Sequence, residues 1–345
     1  MSEIKKTGLV TQEDVAKRAG VSRAIVSYVL NNGPRNVSEE TRLRVLNAIE
    51  ALGYRPNKHA QMLSAATDLA AENYIGIVLA GKHMFKRPYY GEMLAGIHEH
   101  VHQRGWHIRF IRLFEDFSNP ALFNELIHQN EISGVILLEL DQVLSTSDDR
   151  TMIEEIVRRV ERVVCIDWVW PGVPSVQFDH QSVAYQATGH LLTLNKTHIA
   201  YIGPMDRRLQ GYQQALWEKG ITPEEGLTYF ADDASSGHAA CEYFLRSERQ
   251  FDAICTGTDE VAIGMLNCLH QHGLRVPFDI AIASIDNIEI SMYTIPSLTT
   301  VNIPKQEIGI HAVDILMSEK TQRGSSAFTI TVPTELIVRE SSVAP

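Results

Sequence analysis

Few cysteines, no membrane-length apolar run and no excess of positive charge mark this 345-residue chain. Cys165, Cys241, Cys255 and Cys268 lack the paired short spacing of a zinc ribbon, which predicts reduced core or helix residues rather than disulfides. No apolar stretch approaches the roughly 20 residues that cross a bilayer, and the N-terminus shows no signal-peptide core. A cytoplasmic protein without membrane contact is therefore expected. Low-complexity repeats are missing as well, apart from a small polar linker near 64–73. Lys and Arg number 31 against 42 Asp and Glu, a net charge of −11, so any phosphate binding has to be local. The length exceeds one compact domain and suits a small head on a body of two similar lobes.

What is present begins at Thr11-Gln12-Glu13-Asp14, a hydroxyl followed three residues later by a carboxylate. That pair satisfies free amides at a helix start and puts acidic charge on the positive dipole end. Val15, Ala16 and Ala19 form a narrow apolar stripe, and Gly20 supplies the turn. Ser22 caps a second helix running to about Leu30, which buries Val26, Val29 and Leu30 and turns Arg23, Ala24, Ser27 and Tyr28 elsewhere. Asn31-Asn32-Gly33-Pro34 breaks the chain. Ser38 then caps a third helix carrying Leu43, Val45, Leu46, Ile49 and Leu52, and Gly53 stops it. Two helices joined by so short a turn cross closely only when the first is thin at the contact, which Ala16 and Gly20 provide. The pattern is a helix-turn-helix. Residues 1–63 hold ten Lys and Arg against six Asp and Glu, a net +4, so the remainder carries −15. A basic head on an acidic body is the charge pattern of DNA binding by one end.

The runs Val10 to Ser22, Val26-Ser27-Tyr28-Val29-Leu30-Asn31, Val37 to Arg42 and Tyr54-Arg55-Pro56-Asn57 closely resemble the headpiece of the lac repressor (LacI/GalR) family. That resemblance implies that the second helix enters the major groove, with Arg23, Ala24 and Tyr28 where base edges are read. It places Thr11, Ser22, Ser27, Asn31, Ser38, Thr41, Tyr54, Asn57 and Lys58 against phosphates. Two departures stand out. Ile25 replaces a usual phosphate-binding Thr, and Tyr28 replaces a frequent guanine-reading Arg, so the operator sequence does not carry over. Residues Asn57 to Leu63 resemble the family's hinge helix, too short to be stable alone, which would order against its dimer mate and DNA. Leu63 would wedge into the minor groove, while Gln61 stands where an Arg is common.

From Tyr74 the pattern alternates strand and helix. Ile75–Ala80 reads as a buried strand, Tyr89–Arg104 as a helix stopped by Gly105, and His107–Leu113, Gly134–Leu138 and Val163–Ile166 as the strands that follow. The rhythm restarts with Ile199–Gly203, Thr228–Ala231, Ala253–Thr256 and Ile280–Ser284. Continuous apolar strands separated by helices predict an α/β core of two parallel sheets covered on both faces. This half resembles the periplasmic-binding-protein-like effector core of the same family. The expected organisation is a headpiece over 1–56, a hinge and linker over 57–73, and a core over 74–345. Its N-lobe would take 74–172 and 301–328, its C-lobe 173–300 and 329–340.

Ligands of open parallel sheets bind beyond the strand C-termini, so the effector candidates are strand-end residues. These are Arg208 and Asp286 first, then Asp167 and Trp168, then Asp259, Tyr89 and Tyr90. Carboxylates accept from vicinal hydroxyls, an Arg donates in a fork and an aromatic ring covers a sugar's apolar face, although a purine or phosphorylated ligand could use the same groups. For each residue the competing reading is a helix cap or a strand-end hydrogen bond. One departure lies before the strand at Ile199, where the family commonly has Gly-His and this chain has Asn195-Lys196.

A rival comes from His98-Glu99-His100-Val101-His102, which satisfies the H-E-x-x-H pattern of zinc peptidases. The extended form of that motif wants a third His where Ile108 stands, and His107 misses by one. We expect a solvated helix face, no catalytic metal and no cofactor. A sugar-binding transport protein is a second rival, opposed by the DNA head. The sequence therefore predicts a homodimeric transcriptional regulator, most simply a repressor, whose operator affinity a sugar-like effector controls between the two lobes. It identifies neither that effector nor the operator.

Overall fold

The computed structural model describes residues 10–31, 37–54, 73–247, 249–318 and 327–343. Its described N-terminal part is three helices, α1 (Gln12–Ala19), α2 (Arg23–Asn31) and α3 (Glu39–Leu52). The Thr11 hydroxyl accepts from the Asp14 amide, and the Asp14 carboxylate accepts from the Thr11 amide at 2.8 Å, so the expected capping box closes. Gly20 ends α1 at φ 67°, a left-handed conformation that glycine takes without steric cost. Ser38 caps α3 by accepting from the Thr41 amide, and Gly53 ends it, also left-handed. Val15, Ala16, Ala19, Val26, Val29, Val45, Ala48, Ile49 and Tyr54 are the buried centre. One detail differs from the sequence reading, in that Leu30 is only partly buried; on α3, Leu43 points outward at 52% exposure. Leu43 lies two residues before Val45, about 200° around a helix whose core face is Val45, Ala48 and Ile49.

Two six-stranded sheets follow. The first holds β1 (Tyr74–Leu79), β2 (His107–Leu113), β3 (Gly134–Leu138), β4 (Arg162–Ile166), β5 (Ser175–Gln177) and β11 (Thr329–Thr331), in the spatial order β11-β5-β4-β3-β1-β2. The second holds β6 (Ile199–Gly203), β7 (Thr228–Phe230), β8 (Ala253–Thr256), β9 (Ala281–Asp286), β10 (Thr299–Asn302) and β12 (Glu335–Ile337), in the order β12-β10-β9-β8-β6-β7. β1 to β4 pair in parallel, as do β6 to β10, and β12 joins β10 antiparallel. β3, β6, β8 and β9 are buried along their whole length, the burial that continuous apolar runs predict for strands covered on both faces. The exposed and half-exposed short strands β11 and β12 carry no such run.

The described residues pack as two compact units. One draws on Met1–Phe85, Ile97–Ser175 and Ile310–Thr329, the other on Lys86–Gly96, Val176–Gly309 and Ile330–Pro345. The helices α4 (Pro88–Gln103), α5 (Pro120–Leu126), α6 (Ser147–Arg159), α7 (His180–Thr193), α8 (Arg207–Glu218), α9 (Ala234–Arg246), α10 (Asp259–Gln271) and α11 (Lys305–Met317) alternate with the strands. In the second unit, α9 and α10 approach through Gly237 and Gly264, where any Cβ would strike the backbone of the facing helix. That close approach overturns one expectation from the sequence: Cys241 on α9 and Cys268 on α10 form a disulfide, with Cα atoms 6.2 Å apart. Twenty-seven residues separate the two, and only the tertiary packing of two helices brings them together. Cys165 and Cys255 are free and buried, as expected, and burial pushes the Cys255 thiol up to about 12.

Asn195 adopts φ 60°, in the left-handed region. Asparagine is among the few residues other than glycine that visit it routinely, so Asn195 suits the turn before β6.

Candidate DNA interface and strand-end cluster

On the helix-turn-helix unit, Thr11, Ser22, Arg23, Ala24 and Ser38 are exposed, and Ser27, Tyr28 and Thr41 are half-exposed. Arg23 and Ala24 open α2 and Tyr28 follows one turn later, so they share the helix face turned away from the core residues Val26 and Val29. The Arg23 Nε donates to Gln12 Oε1 at 3.3 Å, an exposed contact that DNA could displace. Ile25 packs against the core instead of offering a hydroxyl. Tyr54 lies almost fully buried beneath the helices, 1% exposed. Asn31 closes α2, whereas Asn57, Lys58, Gln61 and Leu63 fall outside the described residues.

In the second unit, the C-terminal ends of the parallel strands gather charge. Asp206 caps α8, just after β6, and accepts from the Arg208 amide at 2.9 Å. The same carboxylate accepts from Arg208 Nε at 3.1 Å and from Nη2 at 2.6 Å, while Nη1 donates to the Gly257 carbonyl at 3.1 Å. Gly203 and Gly257 meet so closely that a Cβ on either would clash with the other, which draws the ends of β6 and β8 together beneath the guanidinium. Burial opposes charge on both partners, but their mutual bonding prevails: Asp206 is held below the ordinary carboxylate range and Arg208 above the ordinary guanidinium range. The result is an oriented, permanently charged fork at a strand end.

Asp286 ends β9 nearby, buried, at φ 118°, and Asn287 follows at φ 53°. Two consecutive non-glycine residues with positive φ are costly, and such strain collects at functional turns. Lys305, the first residue of α11, is 3% exposed and supports this turn. Its Nζ donates to the carbonyls of Asp286 at 2.6 Å, Asn287 at 3.1 Å and Ile303 at 3.3 Å, and lies 3.4 Å from Glu92 Oε2. Asp259, at the start of α10, is fully buried: one oxygen accepts from the Thr300 hydroxyl at 2.7 Å and the other from the Ile288 amide at 2.9 Å. Asp259 thus ties α10 to the loop after β9, which is the strand-end hydrogen-bond reading of that residue.

Burial raises Asp259 to about 6, and burial together with the Asp259 charge pushes Asp286 well above the carboxylate range. A carboxyl with a raised folded-state pKa binds more protons folded than unfolded, so the stability it contributes is largest at low pH and falls as pH rises through that pKa. For Asp259 the window runs from about pH 4, the unfolded value, to about pH 6. We therefore expect the stability difference between the wild-type protein and Asp259→Asn to shift against the wild type by on the order of 1 kcal/mol from pH 5 to pH 7. Denaturant titrations at the two pH values measure it, and an unchanged difference would mean that Asp259 ionises as an ordinary carboxylate.

The other candidates are dispersed. Tyr89 and Tyr90 meet edge to face, ring centroids 5.1 Å apart, within the segment Lys86–Gly96 of the second unit, and Tyr90 is buried. Asp167 and Trp168 follow β4 in the first unit. Asp167 has φ 60°, and Trp168 is buried with its Nε1 donating to the Leu137 carbonyl at 2.9 Å. Sequence reasoning missed Asp206, Lys305, Asn287 and Glu92. A signal existed for Lys305, because a cation in the first turn of a helix opposes the dipole and needs another reason to be there. Asp206 shows only as an N-cap until the neighbouring guanidinium folds back on it. His98, Glu99 and His102 lie on the exposed face of α4.

Comparison with known proteins agrees with both halves of this architecture. Residues 11–57 match the model of bacterial regulatory proteins of the lacI family, and residues 188–342 match the periplasmic binding protein-like domain. The regulator GalR of Escherichia coli K12 is 29% identical over 98% of this chain and 97% of its own length. Among solved structures, the CelR–cellobiose complex superposes with a TM-score of 0.69 at 28% identity, over 96% of this chain and all of that one. The lac repressor dimer bound to operator and the anti-inducer ONPF superposes at 0.68 and 26% identity, over 98% and 100%. With the ribose operon repressor of Escherichia coli K12 at 30% identity over 91% of this chain and 94% of that protein, the chain belongs to the lacI family of DNA-binding transcriptional regulators.

Proposed function

We propose that this regulator is a homodimeric, cytoplasmic repressor whose operator affinity is set by a sugar or sugar derivative bound at the strand ends of the core. The oriented fork of Arg208, fixed by Asp206 beside the strained turn at Asp286, is the observation that carries the reading. A planar charged donor next to a buried carboxyl suits paired hydroxyls, which accept from one and donate to the other. Relatives point the same way, since one is a ribose operon repressor and another was solved with cellobiose. Tyr89 and Tyr90 lie in the same unit as Arg208 and Asp286 and are the further candidates there, and Asp167 and Trp168 are those of the first unit. Effector binding would shift operator affinity by linkage through the hinge from Asn57 to Leu63, with Leu63 at the operator centre.

Dimerisation follows from the headpiece, because one helix-turn-helix reads one half-site. Ile290, Met292, Tyr293 and Ile295 expose a run of large apolar side chains on the second unit, the kind of patch a partner subunit covers. No described helix is long and apolar enough to cross a membrane. We assign no enzymatic role: His98 and His102 stand on a solvent-facing helix surface, without the third histidine of the extended motif.

A thermal-shift screen of the full chain against ribose, galactose, cellobiose and hypoxanthine tests the effector class. The expected result is a raised melting midpoint with at least one sugar, accompanied by a change in operator affinity. Stabilisation by hypoxanthine alone would replace the sugar reading with a purine one. For the headpiece, Arg23→Ala is expected to relax selection at one base position by about 1–3 kcal/mol, whereas changing Lys58 weakens binding to all sequences. Operator selection from a random library measures this, and an unchanged consensus with the Arg23→Ala protein would remove Arg23 from base reading.

A further inference from the structure

A second cluster lies away from the strand ends, at the contact of α9 and α10. Around the buried Cys241–Cys268 disulfide stand His238 and Glu242 on α9 and His272 just beyond α10. The ligand atoms of His238, Glu242 and Cys268 all lie within 4.8 Å of one another. Glu242 Oε2 accepts from Arg246 Nη2 at 2.9 Å, and its Oε1 lies 3.5 Å from His272 Nε2. His272 Nδ1 lies 3.0 Å from the Cys268 carbonyl oxygen and 3.9 Å from its sulfur, and His238 Nε2 lies 3.3 Å from Gln271 Oε1. None of these groups takes part in the Arg208 and Asp286 cluster.

An imidazole, a carboxylate and cysteine sulfur are the donor set of zinc, which takes four at about 2.0–2.3 Å in a tetrahedron. Donors on such an ion sit roughly 3.3–3.8 Å apart, so the present spacing needs only side-chain adjustment to reach it. In the disulfide the sulfurs are poor ligands. Two thiolates in their place would be good ones, and both already point into the cluster because they are bonded to each other.

We propose that reduction of the Cys241–Cys268 disulfide opens a zinc-class metal site whose ligands are His238, Cys241, Glu242 and Cys268. A dithiol of the cytoplasmic type, or a phosphine with water in vitro, supplies two electrons and two protons. The S–S bond breaks and two S–H bonds form, while the dithiol closes to its own disulfide or the phosphine becomes its oxide. A divalent ion then displaces both thiol protons to solvent as two metal–sulfur bonds form. His272 serves as the outer partner that orients Glu242, and Arg246 offsets the excess negative charge of two thiolates and a carboxylate around a dication. Disulfide and metal are alternative cross-links between the same two helices, selected by the redox state. The four ligands come as an i, i+3, i+4 triplet on α9 and one residue on α10, which is why no paired cysteine spacing announces them.

Titration of Co2+ into the phosphine-reduced full-length protein tests the proposal, because thiolate ligation produces an intense near-ultraviolet charge-transfer band. We expect a band that saturates near about one ion per chain, is abolished by added Zn2+, and is absent after the protein is reoxidised with a small disulfide. Cys268→Ser is expected to lose the band, and His238→Asn, at a half-exposed position that does not threaten the core, to weaken Co2+ binding about 10-fold or more. A reduced wild-type protein without the band overturns the site. A band that survives Cys268→Ser places the metal on other thiols, and one that persists after reoxidation removes the redox control.

Discussion

Replacing Lys305 with methionine is expected to destabilise the protein by about 3–5 kcal/mol, lowering its melting midpoint by roughly 6–20 °C. The size of the effect follows from what the ammonium does. Its Nζ is the donor for three backbone carbonyls at 2.6, 3.1 and 3.3 Å, at a residue 3% exposed, and it faces Glu92 at 3.4 Å. Methionine fills nearly the same volume, so packing changes little and the loss is electrostatic and hydrogen-bonding. Three carbonyls would lose their donor beside two buried carboxyls, Asp286 and Asp259, whose charge Lys305 helps to offset. Thermal and urea unfolding followed by circular dichroism measures this. A loss under about 1 kcal/mol would show that water takes over the carbonyls and that Lys305 does not organise the turn.

Arg208→Ala has the second large expected effect, on ligand response. A sugar that stabilises the wild-type protein should bind about 30-fold to several thousand-fold more weakly, corresponding to about 2–5 kcal/mol for truncating one partner of a buried charged hydrogen-bond pair. Operator affinity without ligand should stay within a few-fold of wild type, because the headpiece and its charges are untouched. Arg208→Lys is the sharper comparison. It keeps the positive charge but cannot hold the carboxylate of Asp206 with one edge and the Gly257 carbonyl with another, so it should fall between the wild-type protein and the alanine variant. Isothermal titration with the responsive sugar and fluorescence anisotropy on operator DNA give the two readouts. Unaltered sugar affinity in Arg208→Ala would move the effector site away from the end of β6.

Much of this molecule is legible in one dimension because the governing interactions are local. The Thr11 to Asp14 box, the Ser38 cap and the left-handed Gly20 and Gly53 involve residues within four positions of one another. Strands such as Gly134–Leu138 and Ile199–Gly203 carry their own signature, since burial on both faces demands unbroken apolar sequence. β2 is instructive, because at this sheet edge Phe110 alone of His107–Leu113 is buried, yet the helix stop at Gly105 still marks where the strand begins. The short strands β5, β11 and β12 escape such reading: three residues gain their structure from the neighbours that pair with them, and β11 and β12 stand at sheet edges.

By itself, then, the sequence determined the helix-turn-helix, the restarting α/β rhythm, the family and the strand-end positions of Arg208, Asp259 and Asp286, because periodicity, capping and turn chemistry act over a few residues. Tertiary structure alone decided what those side chains do. It set the Gly257 carbonyl at the end of β8 against the Arg208 guanidinium, buried Lys305 beneath the strained turn at Asp286, and spent both oxygens of Asp259 on Thr300 and Ile288. It also joined Cys241 to Cys268 across 27 residues. Each of these depends on which helix or strand lies next to which, and the energies involved, desolvation above all, are set by burial that exists only once the sheets and helices have closed.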